Sequence, residues 1–239
     1  MQARLAALCS GVLMLSAALY GQDRAAVPTP SSYQEKPRAQ SGRILKIFPA
    51  YGVVNRSAEP VQPLSPQDKF VLSLHGAADP YNLLVAGTTA GIEQAADIFP
   101  GYGQGAEGYG KRFGASLADQ ASNSLFKNFV FPVLLREDPR YFRKDQGTFS
   151  RRFGYAISRV AVTKRDSGAS SVNFSRLLGS LASSAVANAY YPSSDRGAGS
   201  TFTRVGISFG ADAALNVISE FGPDFARKIL PKKPSKLHQ

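Results

Sequence analysis

The chain has 239 residues, 44% of them hydrophobic, a formal charge of +11 at neutral pH and a single cysteine. That length suits one domain with a real core, and the composition excludes a wholly disordered chain. The excess of basic residues constrains partners rather than fold and points to anionic neighbours such as phospholipid, lipopolysaccharide or nucleic acid.

Residues 1–22, MQARLAALCSGVLMLSAALYGQ, carry Arg4, then an apolar run from Leu5 to Leu15, then small residues. This is the layout of a secretory signal peptide. Ser16 and Ala18 suit cleavage after Ala18, and cleavage after Gly21 is the second position. Cys9 follows Leu8 rather than a small residue, so a lipoprotein site is not indicated. Removal of residues 1–21 leaves no cysteine, hence no disulfide and no thiolate metal site. The expected location is the periplasm or the periphery of an envelope membrane.

Residues 22–64 are rich in proline, serine and charge and read as a flexible leader. Within it the more apolar Arg43–Val54, RILKIFPAYGVV, suits a short extended or helical piece docked on the main body. A helical domain is expected over 65–225. Ser65 before Pro66 predicts a helix start running to about Ala77, and Asp79 before Pro80 repeats the signal for a helix ending near Phe99. The segment GYGQGAEGYG, 101–110, holds too many glycines for a helix interior and is expected to be a loop or a frayed helix entry. It lacks the GK[ST] ending of a phosphate-cradling loop.

A third helix is predicted from Lys111 to about Phe131, with Pro132 kinking or ending it, and Asp138-Pro139 as a cap for a short amphipathic helix. Further helices are expected over Phe149–Thr163, Asn173–Tyr190 and Ala198–Phe221, the last closed by Gly222-Pro223, with a basic tail from 226 onward. The fold class is therefore mainly α: a single multi-helix bundle with Gly/Ala-rich helix packing, a disordered N-terminal leader and a basic C-terminal tail. Small residues recur one turn apart at Gly87 and Gly91, Gly110 and Gly114, Gly179, Ser183 and Ala187, and Gly206 and Gly210. They predict close helix approach, as in a tightly packed soluble bundle or in lipid. No segment alternates as a barrel strand does, and no mature run is apolar enough to span a bilayer. The triplets Arg112-Phe113-Gly114, Arg152-Phe153-Gly154 and Arg204-Val205-Gly206 open three predicted helices at unequal intervals and read as a shared packing device.

Between Ser124 and Gly168 the most apolar run, Phe126 to Leu135, meets the densest group of arginines. Arg136, Arg140, Arg143, Arg151 and Arg152 are the candidate anion- or lipid-binding residues; on a persistent helix the first three share a face. The plainer reading pairs them internally with Glu137, Asp138 and Asp145. Histidine is confined to His75 and His238, with no metal spacing, and GxSxG is absent, so no metal and no cofactor is expected. If a catalytic site exists, it is sought where Glu137, Asp138, Arg140 and Tyr141 approach Asp119 or Asp212.

Taken together, GYGQGAEGYGKRFGASLADQ, FPVLLREDPRYFR, RRFGYAISRVAVTKRDSG, NFSRLLGSLASSAVANAYYP and EFGPDF resemble a family of exported bacterial proteins without assigned function, over Pro63 to about Phe225. The resemblance implies export and the same domain, and no catalytic residue, ligand or cofactor. The function expected is that of a non-catalytic cell-envelope protein associating with anionic lipid or an acidic protein surface through the arginine-rich face, with no nucleic acid met in vivo and a second copy of the chain as a further candidate partner. The alternative is an envelope hydrolase acting on a phosphorylated or cell-wall substrate.

Overall fold

Helix starts follow the capping chemistry closely. In the computed structural model, which describes residues 43–44, 48–55 and 62–229, Ser65 caps helix α1 (Pro66–Ala78): its side chain accepts from the Asp68 amide, and the Asp68 carboxylate reaches back to the Ser65 amide. Asp79 caps α2 (Pro80–Ala95) by accepting from the Tyr81 amide, and it also receives Arg43 at 3.0 Å. The expected signal peptide lies outside the described residues, all of which belong to one compact unit, Pro37–Gln239. The protein is mainly α-helical.

Helix α2 ends four residues before Phe99, because Asp97 and Phe99 adopt left-handed backbone and turn the chain. The glycine-rich segment is not all loop. Helix α3 begins at Gly105 and runs to Leu125, so Gly105 to Gly110 form its first turns. Arg112, fully buried, holds this geometry by donating to the carbonyls of Ile98, Phe99 and Gly103 and to Gln94 Oε1. A Cβ at Gly108 would overlap the Gly103 carbonyl, so the loop can close on α3 only over a glycine.

Pro132 does not end the helical path. A π-turn over Phe126–Val130 widens the coil just before it, and α4 (Phe131–Leu135) continues from there. The extra residue in the turn lets the chain accept a proline ring without the usual clash on the preceding turn. Beyond it the sequence reading fails in kind. Asp138-Pro139 starts no helix: Glu137–Asp138 is strand β4, and Tyr141–Phe142 is β5. Instead of capping, Asp138 accepts from the Arg140 amide at 3.0 Å and clasps its guanidinium. Helix α5 (Phe149–Ser158) stops five residues short of Thr163, because Val162–Arg165 is strand β6, antiparallel to β4 on one side and to β7 (Ser170–Val172) on the other. Pairing across the chain overrides the local helical signal.

The segment expected as leader is ordered over its later part. Strands β1 (Arg43–Ile44) and β2 (Phe48–Pro49) pair antiparallel, while β3 (Val53–Val54) pairs parallel with β5. Ile44 and Val53 are buried, so 43–44 and 48–55 dock on the body. Helix α6 (Phe174–Ala187) is capped by Asn173, and α7 (Ala198–Ile229) runs through Gly222-Pro223. The basic tail expected from 226 is thus still helical as far as Ile229. Ion pairs of Asp224 with Arg143 and Arg152 hold the extension past the proline.

Helix α3 packs against α1, α2 and α6, α6 packs against α7 and the π-turn, and α5 lies on α7. Of the small-residue pairs, only Gly179, Ser183 and Ala187 face a neighbour closely. A Cβ at Gly179 would lie 2.8 Å from Lys127 Cγ and 3.1 Å from its backbone nitrogen, whereas Gly91, Gly110, Gly114, Gly206 and Gly210 face open space. Among the predicted pairs close approach therefore holds for α6, while Gly76 of α1 against Ser124 and Gly222 of α7 against Ile44 are close approaches outside those pairs. Gly179→Ala is expected to destabilise the fold by about 1–3 kcal/mol in urea unfolding. Gly210→Ala, on an exposed helical position, is expected to stabilise it by about 0.5–1 kcal/mol.

Candidate functional site

On α7, polar residues stand at every fourth position: Arg204, Ser208, Asp212, Asn216, Glu220 and Asp224. An i+4 row drifts about 40° per step around a helix of 3.6 residues per turn, so the row winds past several neighbours. Arg204 donates to the Ser184 and Asp195 carbonyls and to Asn188, and stacks over Tyr191 at 4.7 Å. Ser208 and Asp212 meet Lys127 of the π-turn, and Asp212 also receives Arg176 of α6 at 2.8 Å. Asn216 donates to the Ala156 carbonyl of α5. Burial presses the Asp212 carboxyl upward in pKa, but the charges of Arg176 and Lys127 outweigh it and hold the group below its ordinary value.

At the far end of the row, Glu220 is fully buried. Its carboxylate accepts from Arg152 Nε at 2.8 Å, the Tyr141 hydroxyl at 2.9 Å and the amides of Lys144 and Asp145. Its backbone carbonyl receives both Arg143 and Arg152. Burial raises the Glu220 pKa, and the Arg152 hydrogen bond leads the contacts that bring it below the ordinary 4.5.

The five candidate arginines therefore separate. Arg143 is buried against Glu220, Asp224 and Asn55, Arg152 joins the same network, and Arg140 is held bidentately by Asp138 and donates to the Gln62 carbonyl. Their chain is extended, so Arg136, Arg140 and Arg143 share no helix face. Arg136, with left-handed backbone after α4, and Arg151, on α5, are exposed and make no ion pair among the described residues. The aromatic run beside them is half-buried, with Phe129 packed edge-on to Phe70 at 5.1 Å.

Residues of the alternative site do converge. Glu137, Asp138, Arg140 and Tyr141 line one small polar cleft of about 20 Å³, together with Lys127, Arg159, Asn173, Ser175, Arg176 and Asn216. Asp212 stands behind it through Lys127 and Arg176. Asp119 is held elsewhere, by the hydroxyls of Tyr190 and Tyr191 beside Tyr102 and Phe99. Burial raises the Asp119 pKa against those two hydrogen bonds. His75 lies in the last turn of α1, edge-on to Tyr51. Among the described residues no group of three His, Cys, Asp or Glu side chains could hold a metal ion.

Sequence reasoning passed over the α7 row, Lys127 and Arg159. The four-residue polar repeat of α7 was the available signal. Arg159 offered none, since its place depends on where α5 ends. Comparison with family models, curated proteins and solved structures finds no match.

Glu93 on α2 is half-buried, and burial pushes its pKa up to about 7, with Arg112 opposing and Asp119 adding to the rise. Between the ordinary value of 4.5 and about 7 the unfolded chain ionises at Glu93 while the folded protein keeps the proton, so stability falls as pH rises through that window. Glu93→Gln is expected to remove this fall and raise the melting temperature at pH 8, read by thermal unfolding across pH 5–8. Glu220 has the opposite sign: its contribution is present above 4.5 and is lost as pH falls through its lower folded value. Glu220→Ala leaves Arg152 uncompensated and is expected to cost about 3–5 kcal/mol at pH 7, with a smaller cost in acid.

Proposed function

We propose that this is a non-catalytic protein of the cell envelope that seats in a lipid layer by the outer faces of its helices. One observation carries the reading: on α2, α6 and the middle of α7 the charged side chains are turned inward while many large apolar side chains are turned outward, the exposed Glu107–Lys111 pair of α3 and Arg227 near the end of α7 being exceptions. On α2 the exposed residues include Leu83, Leu84 and Ile92, and the one charged residue of the helix, Glu93, is half-buried. On α6 the inward stripe is Ser175, Gly179, Ser180, Ser183, Ser184 and Ala187, and the outward residues include Phe174, Leu177, Leu178 and Val186. Its one charge, Arg176, is bound to Asp212. On α7 Phe202 and Ile207 are 66% and 68% exposed, values that belong to open surface.

A bundle stabilised by water places its large apolar residues inside. Helices in lipid gain nothing by doing so and associate instead through small residues and interhelical hydrogen bonds. The α6 stripe and the α7 row supply both. Among the described residues no helix is long and apolar enough to cross a membrane, so the seat proposed is within one face of a bilayer. Export by the signal at residues 1–21 supplies the compartment in this reading. The engagement of Arg140, Arg143 and Arg152 moves the weight of lipid contact from the arginine group to the apolar faces, with Arg136 and Arg151 left to meet headgroups.

A hydrolase is the second reading, favoured by the gathering of Glu137, Asp138, Arg140 and Tyr141 on one cleft. Both carboxylates there are already committed, Asp138 to Arg140 and Glu137 to the Ser175 amide at 2.9 Å.

Flotation with vesicles tests the lipid seat. The protein is expected to float with both anionic and zwitterionic vesicles and to stay bound at high salt, and Phe202→Ser with Ile207→Ser should weaken flotation without lowering the melting temperature. Recovery of a soluble monomer indifferent to vesicles would refute it. A large oligomer indifferent to vesicles would refute it too, and would assign the apolar faces to copies of the chain.

A further inference from the structure

The cleft beside β4 and the start of α6 has polar groups that the fold leaves unused. Arg159, the residue that closes α5, lines it. The Arg159 guanidinium lies over the Tyr155 ring at 5.6 Å and has no carboxylate or hydrogen-bond partner among the described residues. Burial, with the neighbouring Arg176 charge, lowers its pKa against the opposing influence of Tyr155 and Tyr141. Ser175, 3% exposed, also lines the cleft, and its Oγ has no hydrogen-bond partner among the described residues. A buried hydroxyl in that condition costs stability unless something binds it.

The cleft has a net sign. Lys127, Arg140, Arg159 and Arg176 face Glu137, Asp138 and, behind the wall, Asp212, so four cations stand against three carboxylates. Asp138 is spent on Arg140, Asp212 on Lys127 and Arg176, and Glu137 on the Ser175 amide. What remains uncommitted among the described residues is the Arg159 guanidinium and the buried Ser175 hydroxyl. Planar guanidinium with a neighbouring hydroxyl donor is the donor set for a tetrahedral oxyanion.

We propose that this cleft binds a phosphate group, with Arg159 and Ser175 as its direct donors and Arg176 supplying field from its pair with Asp212. Val172, Phe174 and Leu177 alternate in sequence with the lining residues Asn173, Ser175 and Arg176, and are exposed. An acyl chain on the phosphate has this exposed apolar surface on the same segment to meet, whereas a free phosphate has no use for it. The phosphate site itself stands independently of the lipid seat, since it is read from the cleft and not from the outer helix faces.

The test uses the full chain in a non-ionic detergent without vesicles, so that its outcome is separate from that of flotation. Two titrations followed by calorimetry, one with inorganic phosphate and one with dihexanoyl phosphatidic acid below its micelle concentration, distinguish a free from a lipid-borne group. Binding in either arm supports the site, and tighter binding of the lipid assigns the source. Arg159→Gln is expected to weaken binding about tenfold, the loss of one charge-assisted hydrogen bond. Ser175→Ala should weaken it less while leaving the fold at least as stable, and Arg151→Gln, outside the cleft, should leave the affinity unchanged. Absence of binding in both arms overturns the proposal, as does binding that Arg159→Gln and Ser175→Ala leave untouched.

Discussion

Six polar side chains wound in a row about α7, and the need of each for a partner out of water, set most of this architecture. A buried charge left alone is expensive, so every member of the row has to be met by a neighbour of suitable chemistry. The end of α6 meets Arg204, the π-turn and α6 meet Asp212, α5 meets Asn216, and strand β5 with α5 meets Glu220. Because successive members of an i+4 row point about 40° apart, one helix can bind four different elements without any of them crossing another. Helix α7 is the mast, and its neighbours are placed by which polar residue they answer.

Polar packing of this kind explains two features that otherwise look like faults. The π-turn at Phe126–Val130 sets Lys127 against Ser208 and Asp212 just ahead of Pro132, so the irregularity is also where α3 is tied to α7. Likewise the chain between α4 and α5 gives up helix for strands because Tyr141 and the amides of Lys144 and Asp145 must reach the Glu220 carboxylate, which an extended chain allows and a helix turns away from. Arg112, Arg152 and Arg204, all in the first halves of their helices, each donate to backbone carbonyls of another segment. They share a device and no repeat: a guanidinium tying its helix to a neighbouring backbone.

An interior built of charge pairs, serines and small residues leaves the large apolar side chains to the outside, which is what ties fold to proposed function here. In water such a surface invites association. In lipid it is the ordinary arrangement, and the inward hydrogen bonds then do the work that apolar burial does elsewhere. The polar cleft lies where this scheme is incomplete, with Arg159 and Ser175 unanswered, and so it is the place where a ligand has something to gain.

Local chemistry was readable before the fold. Caps at Ser65, Asp79 and Asn173 follow from side-chain oxygens competing for the first amides of a helix, and the helical class follows from their number and from the absence of alternation. The four-residue polar repeat from Arg204 to Asp224 was also on the surface of the sequence, though which side of α7 faced inward was not: an amphipathic pattern has two faces, and only its neighbours say which is buried. The strands β4 to β6, the helix continuing through Pro223 and the splitting of the arginine group into buried and exposed members were decided by tertiary structure. They depend on distant partners, Glu220 for Arg152 and Arg143 at 68 and 77 residues and the pairing of 137–138 with 164–165, and such contacts leave no trace in a window of neighbouring residues.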